Sequence, residues 1–486
     1  MDMFQLQLES DLAEGARDVL RMLDQHGHQA YMVGGCVRDT ILGRPIHDID
    51  IATSAEPDQV CEMFERVIPT GLQHGTVTVV TKYGNYEVTT FRREGGYVDN
   101  RRPESVEFIT DVTEDLRRRD FTMNAMAVDA DGTLLDPFAG QVDLRAYRVR
   151  TVGKADERFS EDALRMLRAI RFASVLQMRI AKGTWRALVK LRPGLAPVAM
   201  ERVREELWKL TAGPDPARGW AFVVRSGILA YAKEPLLFLA HPWSARWQSA
   251  LAVLGQMETP ELRFALLALV HGASAEEAQA VCLALRLSGA QQDGILPVLR
   301  AHAQLAAAAQ AASAAASPAQ GAASAGEAAL RRAFAQAVLA YGETAVRGAL
   351  ACRQAMLGVS EGKQPAAALQ AHIQPESVDS QLQAHIQPEA TDAQQQAADE
   401  LQQSYAPPQS DCSLLRMAPQ WLEAMPARQL SDLAIKGRDI LAASDRPAGP
   451  WIRAILERVW LEVAIGALPN ERDALMNEAT KGEDTA

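Results

Sequence analysis

Cysteine is scarce in this sequence: five residues (36, 61, 282, 352 and 412) in 486, with no pair at metal-ligand spacing. The odd number and the scatter argue against a disulfide framework. Long apolar runs are lacking too. No stretch reaches the roughly 18 uncharged apolar residues of a membrane span, and the alanine-rich run near 303–330 is broken by Gln, Ser, Pro318 and Gly321. The start, Met1-Asp2-Met3-Phe4, has neither the basic nor the apolar region of a secretory leader. These absences together predict a cytoplasmic protein with no membrane association. Positive charge is in deficit as well, at a formal −11, which at first sight excludes a nucleic-acid binder.

The deficit is local. Residues 361–413 hold eight acids against Lys363, and residues 471–486 hold five acids against two bases, so these two segments carry −10 of the −11. The rest of the chain is close to neutral and can present a basic face to RNA. A composition of 48% hydrophobic and 23% charged residues is that of a globular protein. The length suggests roughly three domains.

Apolar positions at helical spacing mark residues 9–26 (Leu12, Ala16, Val19, Leu20, Leu23). A short strand, Ala30–Val33, then runs into Gly34-Gly35, and β-branched and aromatic residues mark strands at Thr76–Thr81 and Tyr86–Arg92. From about 158 the spacing is helical throughout, in 161–176, 184–192, 199–211, 217–232 and 246–270. The expected architecture is an α+β head followed by an all-α arm. Residues 361–413, rich in Gln, Ala, Pro and acids, read as a solvated linker, because such a composition buries too little apolar surface to offset the entropy of ordering. This linker repeats LQAHIQPE at 369–376 and 382–389, and its His372 and His385 make only a weak metal site.

The chemistry concentrates near the first strand. In Gly34-Gly35-Cys36-Val37-Arg38-Asp39, the paired glycines, Gly35 included, let backbone N–H groups approach a phosphate, and Arg38 adds a forked donor. Thirteen residues on from Gly35, an Asp48-Ile49-Asp50 segment in extended conformation turns both carboxylates to one face. Two hard oxygen donors beside a triphosphate cradle suit Mg2+. Glu87 and Asp120 are alternative third carboxylates.

In order along the chain stand GGCVRD, HDIDIATSA (47–55), HGTVTVV (74–80), YEVTTFR (86–92), RRDFTMNAMA (118–127) and EDALRMLRAIRF (161–172). As a set they resemble the class II nucleotidyltransferases of the DNA polymerase β superfamily, and within that class the bacterial CCA-adding enzymes. The likeness is dense over about 20–210 and returns at 435–475. It implies a polymerase-β-like head at 1–154 with a small mixed sheet, a helical neck at 155–215 carrying a base-template helix, and a helical body at 216–302. An alanine-rich segment at 303–330 and a tRNA-binding helical tail at 331–470, interrupted by the linker, would follow.

The resemblance also assigns roles. Asp48 and Asp50 would hold the catalytic metal, and Arg119 the phosphates of the incoming nucleotide. Asp162 and Arg165, three apart on one helix with Glu161 steadying Arg165, would read the base. An acceptor beside a donor complements cytosine and adenine alike, whereas uracil and guanine would leave buried groups unpaired. Arg168 and Arg171, at further i+3 steps, would also contact nucleotide. The implied partners are CTP, ATP and tRNA, gripped at its 3′ acceptor end and its elbow; a homodimer stays open. Poly(A) polymerases share GGxVRD, RRD and EDxxR, so they remain an alternative, as does a non-catalytic RNA-binding protein. The segment Gly71–Thr76 and the loop Arg93–Pro103, placed to switch between CTP and ATP, favour CCA addition. The only His-Asp pair is His47-Asp48, within the metal segment, so no phosphohydrolase domain is expected.

Overall fold

The computed structural model describes residues 10–72, 75–95, 97–98, 102–103, 106–315, 322–360 and 409–481. Gln73 and His74, part of the 93–103 loop, and the duplicated LQAHIQPE segments with His372 and His385 lie outside these residues. The described chain forms two units, one running to Leu236 and one from Trp243 onward. Among the described residues no helix is long and apolar enough to cross a membrane.

The first unit opens with α1 (Asp11–Gln25), capped by Ser10, whose hydroxyl accepts from Ala13 N. Its Ala13, Ala16, Val19, Leu20 and Leu23 form the buried stripe that the spacing predicts. A seven-stranded sheet follows, in the order β11-β10-β1-β2-β5-β4-β3. Its strands are β1 (Ala30–Val33), β2 (Asp50–Thr53), β3 (Val67–Gly71), β4 (Thr76–Thr81), β5 (Gly84–Thr90), β10 (Ala127–Val128) and β11 (Leu134–Leu135). Between β5 and β10 lie two small ribbons, β6 (Arg92–Glu94) with β9 (Val106–Phe108), and β7 (Tyr97–Val98) with β8 (Arg102–Pro103). Only β2 and β5 run parallel within the seven-stranded sheet; every other neighbouring pair is antiparallel. Helix α2 (Gly35–Ile41) follows β1 directly, α3 (Pro57–Met63) follows β2, and α4 (Val112–Arg117) precedes β10. Val33, Ala52, Phe91, Leu116, Ala125 and Ala127 pack the core between sheet and helices.

Helix α5 (Gly140–Arg145) and the parallel ribbon of β12 (Arg148–Val149) and β13 (Arg179–Ile180) link the sheet to helices α6 (Ala155–Glu161), α7 (Leu164–Val175), α8 (Lys182–Leu191), α9 (Met200–Ala212) and α10 (Pro216–Ser226). The first unit runs through α10 to Leu236. The cause is local packing: Trp220 of α10 is fully buried and donates its indole N–H to Thr211 Oγ1 of α9 at 3.1 Å. Ser174 of α7 donates to Asp215 O at 2.7 Å. Thus α10 belongs with the helices before it.

The second unit is helical: α11 (Ala245–Leu254), α12 (Pro260–Val270), α13 (Ala275–Ala284), α14 (Gly289–Ala315), α15 (Ala322–Tyr341), α16 (Glu343–Ser360), and helices at Gln409–Glu423, Gly437–Ala442, Pro450–Ala464 and Arg472–Thr480. The alanine-rich run, drawn from sequence as a separate segment, is carried by α14 and α15, with Leu305 and Ala309 buried. Alanine is the strongest helix former, so this composition extends helices rather than interrupting them.

Gly15 illustrates how tightly α1 sits on the sheet. The buried Tyr86 of β5 donates its phenol to Leu12 O at 2.8 Å, and a Cβ on Gly15 would press into that phenol and stand 2.7 Å from Tyr83 Cβ. Gly15→Ala therefore destabilises by about 1–3 kcal/mol through overpacking, although helix propensity alone favours alanine by about 1 kcal/mol. A thermal melt of the full chain reads the sign, and a raised midpoint would refute this packing argument.

Candidate active site

Register decides what stands beside what. In the antiparallel β1–β2 pair, Val33 faces Asp50, so Gly34 emerges next to that carboxylate. Gly34 has φ +76°, and a Cβ there would lie 3.2 Å from Arg119 Nη1 and 4.0 Å from Asp50 Oδ2. The glycine leaves room between a guanidinium and a carboxylate that any side chain would occupy. Gly35 begins α2, and Arg38 lies one turn on. The Arg38 fork donates to Asp39 (2.7 and 3.1 Å) and to Asn124 Oδ1 (2.8 Å).

On the other side of β2, the parallel pairing places Glu87 opposite Asp50. Burial first, then the charges of Asp48 and Glu87, push the Asp50 carboxyl up to about 6, against the pull of Arg119. A carboxylate crowded by like charges is one that a divalent cation relieves. The donor set fits such an ion: Mg2+ takes one or two protein carboxylates and completes its shell from water and substrate phosphates. Among the described residues no three His, Cys, Asp or Glu groups stand close enough to form a metal cage.

Of the alternative third carboxylates, Asp120 is committed elsewhere. Its Oδ1 accepts from Phe121 N (2.8 Å) and Asn124 Nδ2 (3.1 Å), and its Oδ2 accepts from Arg168 Nε (2.8 Å). Burial pushes this carboxyl up, but Arg168 and Asn124 outweigh it and hold it below the usual range. Glu87 is the one that stands in register with Asp50.

The arginine triplet 117–119 ends α4. Arg117 bonds Glu114 at 3.1 Å, while Arg118 Nε (2.9 Å) and Arg119 Nη2 (3.3 Å) converge on Asp115, which is 1% exposed. Arg119 Nε is buried and has no hydrogen-bond partner among the described residues. A buried donor left open costs about 1–3 kcal/mol, and an anionic ligand would satisfy it.

The segment around Asp162 departs from expectation. A single helix from Phe159 onward would put Asp162 and Arg165 on one continuous face, but α6 ends at Glu161, Asp162 is extended (φ −142°, ψ 104°) and α7 starts at Leu164. The short carboxylate competes with the helix backbone: Asp162 Oδ1 accepts from Leu164 N at 3.1 Å. Arg202 of α9 clamps Asp162 through two nitrogens (2.8 and 3.3 Å). Arg165 is held as anticipated by Glu161 (2.6 Å) and also donates to the carbonyls of Arg158 and Arg118, both at 3.2 Å. The contact with Arg118 O ties the template segment to the RRD segment.

Arg168 reaches Asp120 and, at 3.6 Å, Glu206 of α9, while Arg171 Nε donates to Glu206 at 2.5 Å. Arg171, Arg38 and Arg168 lie 4.0, 5.2 and 5.5 Å from the ring centre of Phe172. Sequence reasoning missed Asp115, Asn124, Phe172, Arg202 and Glu206. The signal for the last two was an Arg and a Glu four apart on one helix, read only as periodicity.

Glu206, 5% exposed, pairs with Arg171 (13% exposed) and with Arg168 (33% exposed), which Asp120 also holds. Glu206→Ala should cost about 3 kcal/mol, chiefly because it leaves the Arg171 charge uncompensated. Adding Arg171→Met should recover part of that loss. Urea unfolding of both variants checks the coupling, and simple additivity of the two losses would show that the pair does not interact.

Residues 30–150 match the family model of the poly A polymerase head domain, 177–237 an RNA- and SrmB-binding site model of polymerase A, and 366–479 a tRNA nucleotidyltransferase domain 2 model. The chain is 36% identical over 460 residues to a CCA-adding enzyme of Geobacillus thermodenitrificans and 35% identical over 465 residues to one of Geobacillus stearothermophilus, each match covering 95% of both chains. Among solved structures, a Bacillus stearothermophilus CCA-adding enzyme in complex with CTP superposes with a TM-score of 0.68 at 30% identity, covering 98% of each chain. A Thermotoga maritima CCA-adding enzyme complexed with tRNA shares the fold, with a TM-score of 0.58 at 18% identity. With similarity running nearly end to end and the motif residues gathered as described, the chain belongs to the CCA-adding enzyme family of tRNA nucleotidyltransferases.

Proposed function

We propose that this protein acts in the cytoplasm to add C, C and A to tRNA 3′ ends without a nucleic-acid template, using CTP and ATP and releasing pyrophosphate. The single observation that carries the reading is the junction of three motifs: Asp50 beside Gly34 and Arg119, and Arg118 O joined to Arg165. Relatives whose structures hold CTP, ATP or tRNA support the choice of substrates.

In this reading Asp48 and Asp50 hold Mg2+, which when bound offsets triphosphate charge and makes the tRNA 3′-hydroxyl a better nucleophile. The remaining work belongs to side chains. Arg119 and Arg38 bind the phosphates and orient the α-phosphorus for in-line attack by the hydroxyl oxygen, with pyrophosphate as leaving group. Asp162 accepts from the exocyclic amine of cytosine or adenine, and Arg165 donates to the adjacent ring nitrogen. Both groups are pre-positioned, by Arg202 and Glu161 respectively, so little ordering cost falls on the nucleotide. Arg168 and Arg171 supply positive charge alongside. The 93–103 loop, partly outside the described residues, is the proposed switch between the two nucleotides.

Incubating the protein with Mg2+, four NTPs and tRNA transcripts that end before CCA, then sequencing the 3′ ends, tests the reading. Uniform CCA ends are expected. Runs of A would make it a poly(A) polymerase, and an unextended transcript would point to a silent RNA-binding protein. Asp50→Ala should lower transfer by about a thousandfold or more, the loss of several kcal/mol of charge stabilisation, with tRNA binding retained. Transfer at the parent rate would overturn the metal assignment.

A further inference from the structure

The β12–β13 ribbon carries a second concentration of arginine outside the nucleotide site. Val149 is fully buried, so Arg148 and Arg150, one residue to either side, face outward. The parallel register sets Arg148 against Arg179, which puts a third arginine on the same face. Asp143, fully buried, serves both Arg148 (Nε to Oδ1, 3.6 Å) and Arg150 (Nε to Oδ1, 3.1 Å) while accepting from Thr122 Oγ1 at 2.7 Å. Arg218 Nη2 donates to Met178 O at 2.9 Å, beside Arg179. Burial holds the Arg218 guanidinium below its ordinary value against the pull of Asp215, and the charge of Arg179 adds to it.

Two further features single out this face. Tyr147 is 59% exposed and adopts φ +50°, and Gln177 on the adjoining turn adopts φ +54°. Both follow helix ends, where the left-handed residue is normally glycine; Tyr147 N donates to Leu144 O and Gln177 N to Ser174 O. The turns therefore hold their shape through backbone bonds that glycine would also make, and the tyrosine ring is not needed to form them. It stands in solvent.

The face is also close to the chemistry. Thr122 N donates to Arg150 O (2.9 Å), Val152 N donates to Asp120 O (3.1 Å), and Thr151 bridges Phe121. Arg148 is three residues, about 10 Å of extended chain, from the strand segment that adjoins the RRD motif. Strand β12 lies outside the 177–237 segment matched to an RNA-binding model, whereas Arg179 of β13 lies within it.

We propose that Tyr147, Arg148 and Arg179 form a docking surface for the sugar–phosphate backbone of the RNA whose 3′ end occupies the active site. Arginines paired on a rigid ribbon suit backbone phosphates, and the exposed aromatic ring of the residue preceding Arg148 suits stacking on a base or ribose. The proposal rests on the reading that the substrate is tRNA.

The test uses the full chain and a tRNA transcript ending before CCA, with Kd measured between about 50 and 200 mM salt. Arg148→Gln/Arg179→Gln should weaken binding about three- to tenfold and flatten the slope of log Kd against log salt by about 1–2. Tyr147→Gly should weaken binding about fivefold with an unchanged or higher melting temperature, because glycine suits its backbone. Saturation by CTP at saturating tRNA should not move in either variant. Parent-like affinity and slope in both variants would overturn the docking surface while leaving the function intact. Loss of CTP saturation together with a lowered melting temperature would mark these residues as scaffold and overturn it as well. A parent protein that neither binds nor extends tRNA would instead bring down the underlying reading.

Discussion

The packing of like charges governs this catalytic unit. Arg38, Arg168 and Arg171 surround one phenylalanine ring, Arg118 and Arg119 converge on Asp115, and Arg165 is bonded to the Arg118 carbonyl. Unopposed, so many guanidinium groups in a partly desolvated space would drive the segments apart. Asp115, Asp120, Glu161 and Glu206 prevent this, each bound to one or two arginines. Because the arginines come from α2, the end of α4 and α7, and the acids from α4, α6, α9 and the turn after α4, the same ion pairs that make the site basic also fix the sheet-bearing and helical segments to each other.

This division of labour explains why the site is preorganised for anions. A guanidinium held at two or more nitrogens has lost its rotamer entropy during folding, before any ligand arrives. The carboxylates take some donors and leave others, as the open Nε of Arg119 illustrates. At Asp50 the balance is reversed: two acidic neighbours and burial outweigh one arginine. Electropositive and electronegative halves thus meet across Gly34, where the chain has no side chain to separate them.

Much of this was legible in the sequence because the groups that do the chemistry are encoded locally. The glycine pair, the Asp-x-Asp at strand spacing, RRD and EDxxR each occupy a few consecutive residues, and the strands Ala30–Val33 and Thr76–Thr81 stand where their β-branched and apolar residues place them. The supporting partners were not legible. Arg202 acts on Asp162 from 40 positions away, Glu206 on Arg171 from 35, and Arg168 on Asp120 from 48. Helical periodicity gives each of these a face but no partner. The break at Asp162 escaped for a different reason: the apolar rhythm continues through it, and only the aspartate's competition for backbone donors marks the interruption.

The parallel pairing of β2 with β5 also limits how the gene can change length. Side chains along β5 alternate, with Tyr86 and Val88 turned into the core and Glu87 exposed opposite Asp50. Gaining or losing one residue between Thr81 and Glu87 would exchange these faces, setting an aromatic ring beside the carboxylates and an acid in the core. Natural indels should therefore be purged from that turn and strand. Beyond Arg92 the described residues form two- and three-residue ribbons before α4, so lineages can lengthen or shorten the chain there without disturbing the catalytic register.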